Sequence, residues 1–166
     1  TDETAAVLKE RARELVELEN TISALAAFSL KYKPGGLAKI IKALADAKEW
    51  RLLHGYLGTF AMKHKSHKLL GESIRYAVEK LFAAAEYGKV IIYGTLYLRQ
   101  FPSGVHEAAL LHMLGETYYK LSNCTKALLY LNRFVKDHGA DTRAATVKAL
   151  VKTITSQQHS RQYCAQ

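Results

Sequence analysis

Apolar residues recur along this chain with the spacing of helices rather than strands. Leu111, Leu114 and Tyr118 fall three and four residues apart and share one helical face, and Ala127 and Leu131 repeat the four-residue step in the segment that follows. Earlier in the chain Ile74, Ala77, Val78 and Leu81 trace the same stripe, ahead of a segment carrying Val90 and Gly94. Before that, Ile40, Ala43, Leu44 and Ala47 form another stripe. Its partner segment, around Trp50 to Lys63, places Gly55 or Tyr56 at the small position and Phe60 at the large one. The run Val90-Ile91-Ile92-Tyr93 is strand-like alone, but it continues an apolar pattern through Leu98 that reads as helix. Residues 1 to 33 fit only in a shifted register, through Leu8, Ala12, Leu15, Ala24 and Phe28. Ala145, Val147, Ala149, Leu150, Val151 and Ile154 make a final helix that covers the last exposed seam.

Helix breaks fall between these stripes, at Pro34-Gly35-Gly36, at the polar run Lys63 to Lys68, at Phe101-Pro102-Ser103-Gly104 and at Ser122-Asn123. Ser122 or Asn123 can accept hydrogen bonds from the free N–H groups that open the next helix. Small residues facing large ones let paired helices approach closely.

The segment from Ala108 to Asp141 resembles one tetratricopeptide (TPR) unit of 34 residues: Leu111, Leu114 with Gly115, and Tyr118 match its first helix, Ala127 and Leu131 its second. Gly71 to Gly104 resembles another, with Val90 in place of the small residue, Pro102 at the favoured terminal proline, and Gly94 where a large residue is usual, which implies looser packing. Val105-His106-Glu107 then lengthen the turn before the next unit. The resemblance implies an all-α, right-handed antiparallel helix-pair solenoid of about 7 to 9 helices, with the whole chain as one domain. Within it, residues 1–36 are a degenerate repeat or N-terminal cap, 37–70 a degenerate repeat, 71–104 and 108–141 repeats, 142–156 a capping helix and 157–166 a polar tail. In style it is similar to bacterial envelope members of the family, of the outer-membrane assembly lipoprotein and Tol-Pal coordinator type. That implies a periplasmic or envelope address, with the cytoplasm as the alternative.

Composition agrees with a folded helical chain: 49% of residues are hydrophobic and 23% charged, with only two prolines to interrupt helices. The net charge of +9 favours acidic proteins, nucleic acid or anionic surfaces as neighbours. The densest basic run, Lys63-His64-Lys65-Ser66-His67-Lys68, has a plain alternative reading, since cations are stabilised at a helix C-terminus. Cys124 and Cys164 lack metal-ligand spacing; Cys164 either remains a thiol or pairs with Cys124 in an oxidising compartment. No carboxylate or cysteine completes a metal site around His54, His64 and His67. No signal peptide and no run long enough to span a membrane is present, so membrane association is expected only through an anchor outside this sequence or through a partner.

In the TPR family the first helix of each unit lines a concave groove. Carried over by position, the resemblance makes Arg75, Tyr76, Glu79 and Phe82 in one unit, and His112, Met113, Glu116 and Tyr119 in the next, the partner-binding residues. The plain alternative is that Arg75 and Glu79 pair with each other while Phe82 and Tyr119 cover seams. The lysine, asparagine and arginine clamp that grips a C-terminal carboxylate in chaperone-binding members is missing, its positions holding Ile41, Ala45, Tyr76, Ala109 and Met113. A phosphate loop, a GxSxG elbow and an HExxH pair are all lacking. The expectation is therefore a non-catalytic scaffold that needs no cofactor and binds a partner polypeptide. The alternatives are a basic repeat that binds nucleic acid and a groove binder of a small amphipathic ligand.

Overall fold

The computed structural model describes residues 2–27 and 32–160. They form eight helices and no strand: α1 (Asp2–Ala27), α2 (Pro34–Asp46), α3 (Trp50–Lys63), α4 (Lys68–Ala83), α5 (Tyr87–Gln100), α6 (Glu107–Lys120), α7 (Cys124–Asp137) and α8 (Ala144–Ser160). The strand-like run at Val90 is helical, as its longer pattern requires. Pro34 does not precede α2 but opens it, where a missing N–H costs nothing.

A constant period orders the middle of the chain. Helices α3, α5 and α7 open at Trp50, Tyr87 and Cys124 and close at Lys63, Gln100 and Asp137, each 37 residues after the last. The turns ahead of them repeat to the atom. Lys48, Ala85 and Ser122 adopt φ of 56°, 57° and 57°, and the N–H groups of Glu49, Glu86 and Asn123 return to the carbonyls of Leu44, Leu81 and Tyr118 at 2.9, 2.9 and 2.8 Å. A left-handed residue followed by such a return bond satisfies helix-end carbonyls that would otherwise lack partners. At the third turn the Asn123 side chain also accepts from the Lys126 N–H at 3.0 Å, capping α7.

Between the last two units this spacing equals the 34-residue frame with its three-residue offset; before Gly71 it lengthens the expected 34-residue step by three. In the first repeat the residues equivalent to Val90 and Gly94 are Leu53 and Leu57, both fully buried, whereas Gly55 is exposed and Tyr56 half-buried. Phe60, Tyr97 and Phe134 likewise occupy one repeating buried position.

The chain divides into two compact units, residues 1–80 and 81–166. In the first, Leu37, Ile40, Ile41 and Leu44 of α2 are buried, as are Leu53, Leu57 and Phe60 of α3. Helix α1 lies outside the repeat and packs on α2. It buries Leu18 and sends Arg11 to the Ala47 carbonyl and the Glu49 carboxylate, while Leu8, Ala12, Leu15 and Ala24, expected in the core, are exposed. Phe28 lies outside the described residues.

In the second unit α6 packs against both α5 and α7, and α8 packs against α7. A Cβ at Gly115 would collide with Leu131, and one at Gly94 would stand 2.9 Å from the Leu114 side chain, so both glycines mark close helix approaches. Gly94 therefore does not loosen its repeat: Leu114 occupies the space. Glu107, expected in a lengthened turn, begins α6; it is buried and accepts hydrogen bonds from Arg133 and His138. Cys124 is buried and disulfide-bonded; Cys164, the other cysteine of the sequence, lies outside the described residues.

Candidate functional site

Tyr76 stands on the half-buried face of α4, where nearby charges hold it. Its hydroxyl donates to Asp46 Oδ1 at the end of α2. The Lys42 and Lys80 ammonium groups lie 4.8 and 5.3 Å from its ring centroid, both within cation–π range. The same two lysines reach Asp46 at 2.8 and 2.9 Å. Burial pushes the Asp46 carboxyl up, but hydrogen bonds from Lys42, Tyr76 and Lys80 outweigh it and hold the pKa at about 2. Reciprocally, bonding to Asp46 raises the pKa of both lysines.

Beside this cluster is an open recess of about 210 Å³. Ala38, Ile41 and Leu69 supply its apolar surface, Lys42, Glu72 and Arg75 its charges, and Tyr76 and Ser73 complete the lining. That volume falls below the ~300–1,000 Å³ of pockets built for cofactors and drug-sized ligands. Arg75 is turned toward Glu79, Nη1 to Oε1 at 2.5 Å, as helical spacing allows.

Three of the eight expected binding residues, Arg75, Tyr76 and Glu79, thus gather on one face of the first unit. The other five belong to the second unit, and most are engaged there. His112 Nε2 lies 3.1 Å from Glu116 Oε1, a pair 37 residues on from Arg75 and Glu79. Bonding to His112 lowers the Glu116 pKa against the effect of burial. Phe82 meets Tyr87 edge-on at 6.2 Å. The Tyr119 hydroxyl donates to Gln157 Oε1 of α8 at 2.9 Å, and its ring packs on the core. Met113 is half-buried.

Reading the sequence missed Lys42, Asp46 and Lys80. The available signal was the four-residue spacing of Lys42 to Asp46 and of Tyr76 to Lys80, two helix faces that only packing brings together. Among the described residues no group of three or more histidine, cysteine or carboxylate side chains could hold a metal ion, and no helix is long and apolar enough to cross a membrane. No protein-family model matches the chain, and neither a curated protein nor a solved structure matches it.

Proposed function

We propose that this chain is a non-catalytic interaction scaffold of the TPR kind, and that the recess beside Tyr76 receives an apolar side chain of a partner polypeptide. One observation carries the reading: a solvent-open recess with an apolar floor lies against an aromatic ring that is already immobilised by Asp46, Lys42 and Lys80. A pre-ordered aromatic loses little entropy on binding, which is how an anchor of modest area contributes useful affinity. The repeating helix pairs supply the rigid backing such a site needs. The disulfide at Cys124 favours an oxidising compartment, in keeping with a place in a bacterial envelope assembly.

Crosslinked capture from native cells tests this, with the intact protein as bait and Tyr76→Ala and Tyr119→Ala as separate variants. Tyr76→Ala should lose one specific polypeptide that Tyr119→Ala retains, because Tyr119 is committed to α8. Identical captures by wild type and Tyr76→Ala would remove the recess as the binding site.

A further inference from the structure

The turn leading from the second helix of one repeat to the first helix of the next repeats its hydrogen bonds three times, though of the three equivalent residues Ser66, Ser103 and Ala140 Ser103 alone adopts a positive φ, 58°. His64, Phe101 and His138 donate to the carbonyls of Phe60, Tyr97 and Phe134 at 2.9, 2.8 and 2.8 Å. His67, Gly104 and Asp141 then donate to the carbonyls of His64, Phe101 and His138 at 3.0 Å each. On this common frame the side chains differ in sign. Residues 63–68 read Lys-His-Lys-Ser-His-Lys, residues 100–105 Gln-Phe-Pro-Ser-Gly-Val, and residues 137–142 Asp-His-Gly-Ala-Asp-Thr.

The backbone therefore does not require the lysines. Lys63 ends α3 where the dipole favours a cation, yet α7 ends in Asp137 at the equivalent place and forms the same turn. Lys68 opens α4, where the dipole disfavours a cation, and that first turn holds no acidic residue. Lys63, Lys65 and Lys68 are exposed, and none forms an ion pair among the described residues. The two histidines serve the turn itself: His64 Nε2 donates to the Tyr32 carbonyl at 2.8 Å, and His67 Nδ1 accepts from the Leu69 N–H at 3.2 Å. Beside the lysines Met62 is 79% exposed and Tyr32 53% exposed, with Lys63 placed 5.5 Å from the Tyr32 ring centroid.

We propose that the α3–α4 turn docks the protein on an anionic lipid surface, Lys63, Lys65 and Lys68 meeting the headgroups while Met62 enters the apolar boundary. The composition separates this from nucleic-acid binding. The patch holds lysine and no arginine, so it offers point charges rather than planar phosphate forks. The Tyr32 ring is already taken by Lys63, and an exposed methionine gains from hydrocarbon, which a polynucleotide does not offer.

Flotation of the full chain with phosphatidylcholine vesicles, with and without phosphatidylglycerol, provides the test. Binding should require phosphatidylglycerol and weaken with added salt. The triple variant Lys63→Gln/Lys65→Gln/Lys68→Gln should bind about a hundred-fold more weakly, from ~1 kcal/mol per lysine. The equally discharged Lys136→Gln/Lys148→Gln/Lys152→Gln should stay within a few-fold of wild type, both triples keeping the wild-type melting profile. Met62→Ser, with no change in charge, should lose several-fold. No binding by wild type, or equal losses in the two triples, would overturn the proposal. So would an unchanged Met62→Ser, and a single-stranded oligonucleotide held more tightly than the vesicles would reassign the patch to nucleic acid.

Discussion

The faces of α4 and α6 carry equivalent residues 37 positions apart and meet different surroundings. On α4, Arg75 pairs with Glu79 and Tyr76 borders an open recess. On α6, His112 pairs with Glu116, half-buried Met113 stands at the position of Tyr76, and Tyr119, at the position of Phe82, is held by Gln157 of α8. The helical pairing is local and survives in both. Availability to a ligand is not local: it depends on whether another element has already engaged the face. A repeat position therefore nominates a contact residue, but its neighbours decide whether it is free to act.

The largest expected effect separates the interiors behind these faces. Gly115→Ala should cost about 2–3 kcal/mol in denaturant unfolding, since its methyl would displace Leu131 in the close α6–α7 contact. Retained stability would mean that α6 and α7 have room to separate. Next, Tyr119→Phe should cost about 1 kcal/mol by removing the bond to Gln157 while leaving partner capture intact. Lost capture would place Tyr119 in the binding face after all. In contrast to Gly115, Gly55 of α3 has open space around its Cβ direction, so Gly55→Ala should raise stability by about 0.5–1 kcal/mol through helix propensity alone.

The smallest effect concerns Asp46. Its folded pKa of about 2 lies below the ordinary value of 3.8, so its stabilising bonds are fully present above pH 3.8 and are lost as the pH falls through about 2. The carboxylate is 41% exposed, so solvent and salt screen the contribution to well under 1 kcal/mol. An NMR titration should show the Asp46 carboxyl and the Tyr76 ring changing together with a midpoint near 2. Separate midpoints would dissolve the cluster.

Much of the helical order was legible because its causes lie within a few residues. The Asn123 cap, the stop at Pro102, the pairing of Arg75 with Glu79 and the helical reading of Val90 to Leu98 all follow from side chains within a turn or so of one another. A 34-residue step left the first repeat's second helix at Trp50 to Lys63, where α3 lies, but shifted the register inside it, because Gly55, Tyr56 and Phe60 mimic the small and large spacing that Leu53 and Leu57 actually fill. Helix α1 misled for a related reason. Leu8 and Leu15 look like a core stripe, yet α1 buries Leu18 instead and sends Arg11 to Ala47 and Glu49 in the turn after α2.

What the sequence determined by itself, then, is the succession of helices and their breaks, since hydrogen bonding and apolar spacing set these within a few residues. Only the tertiary structure decided that Leu114 fills the space at Gly94, that Glu107 draws in Arg133 and His138, and that Asp46 gathers Lys42, Tyr76 and Lys80. Lys42 and Asp46 aside, those partners are separated by 20 or more residues, and no local period records which distant side chains packing will bring within bonding distance.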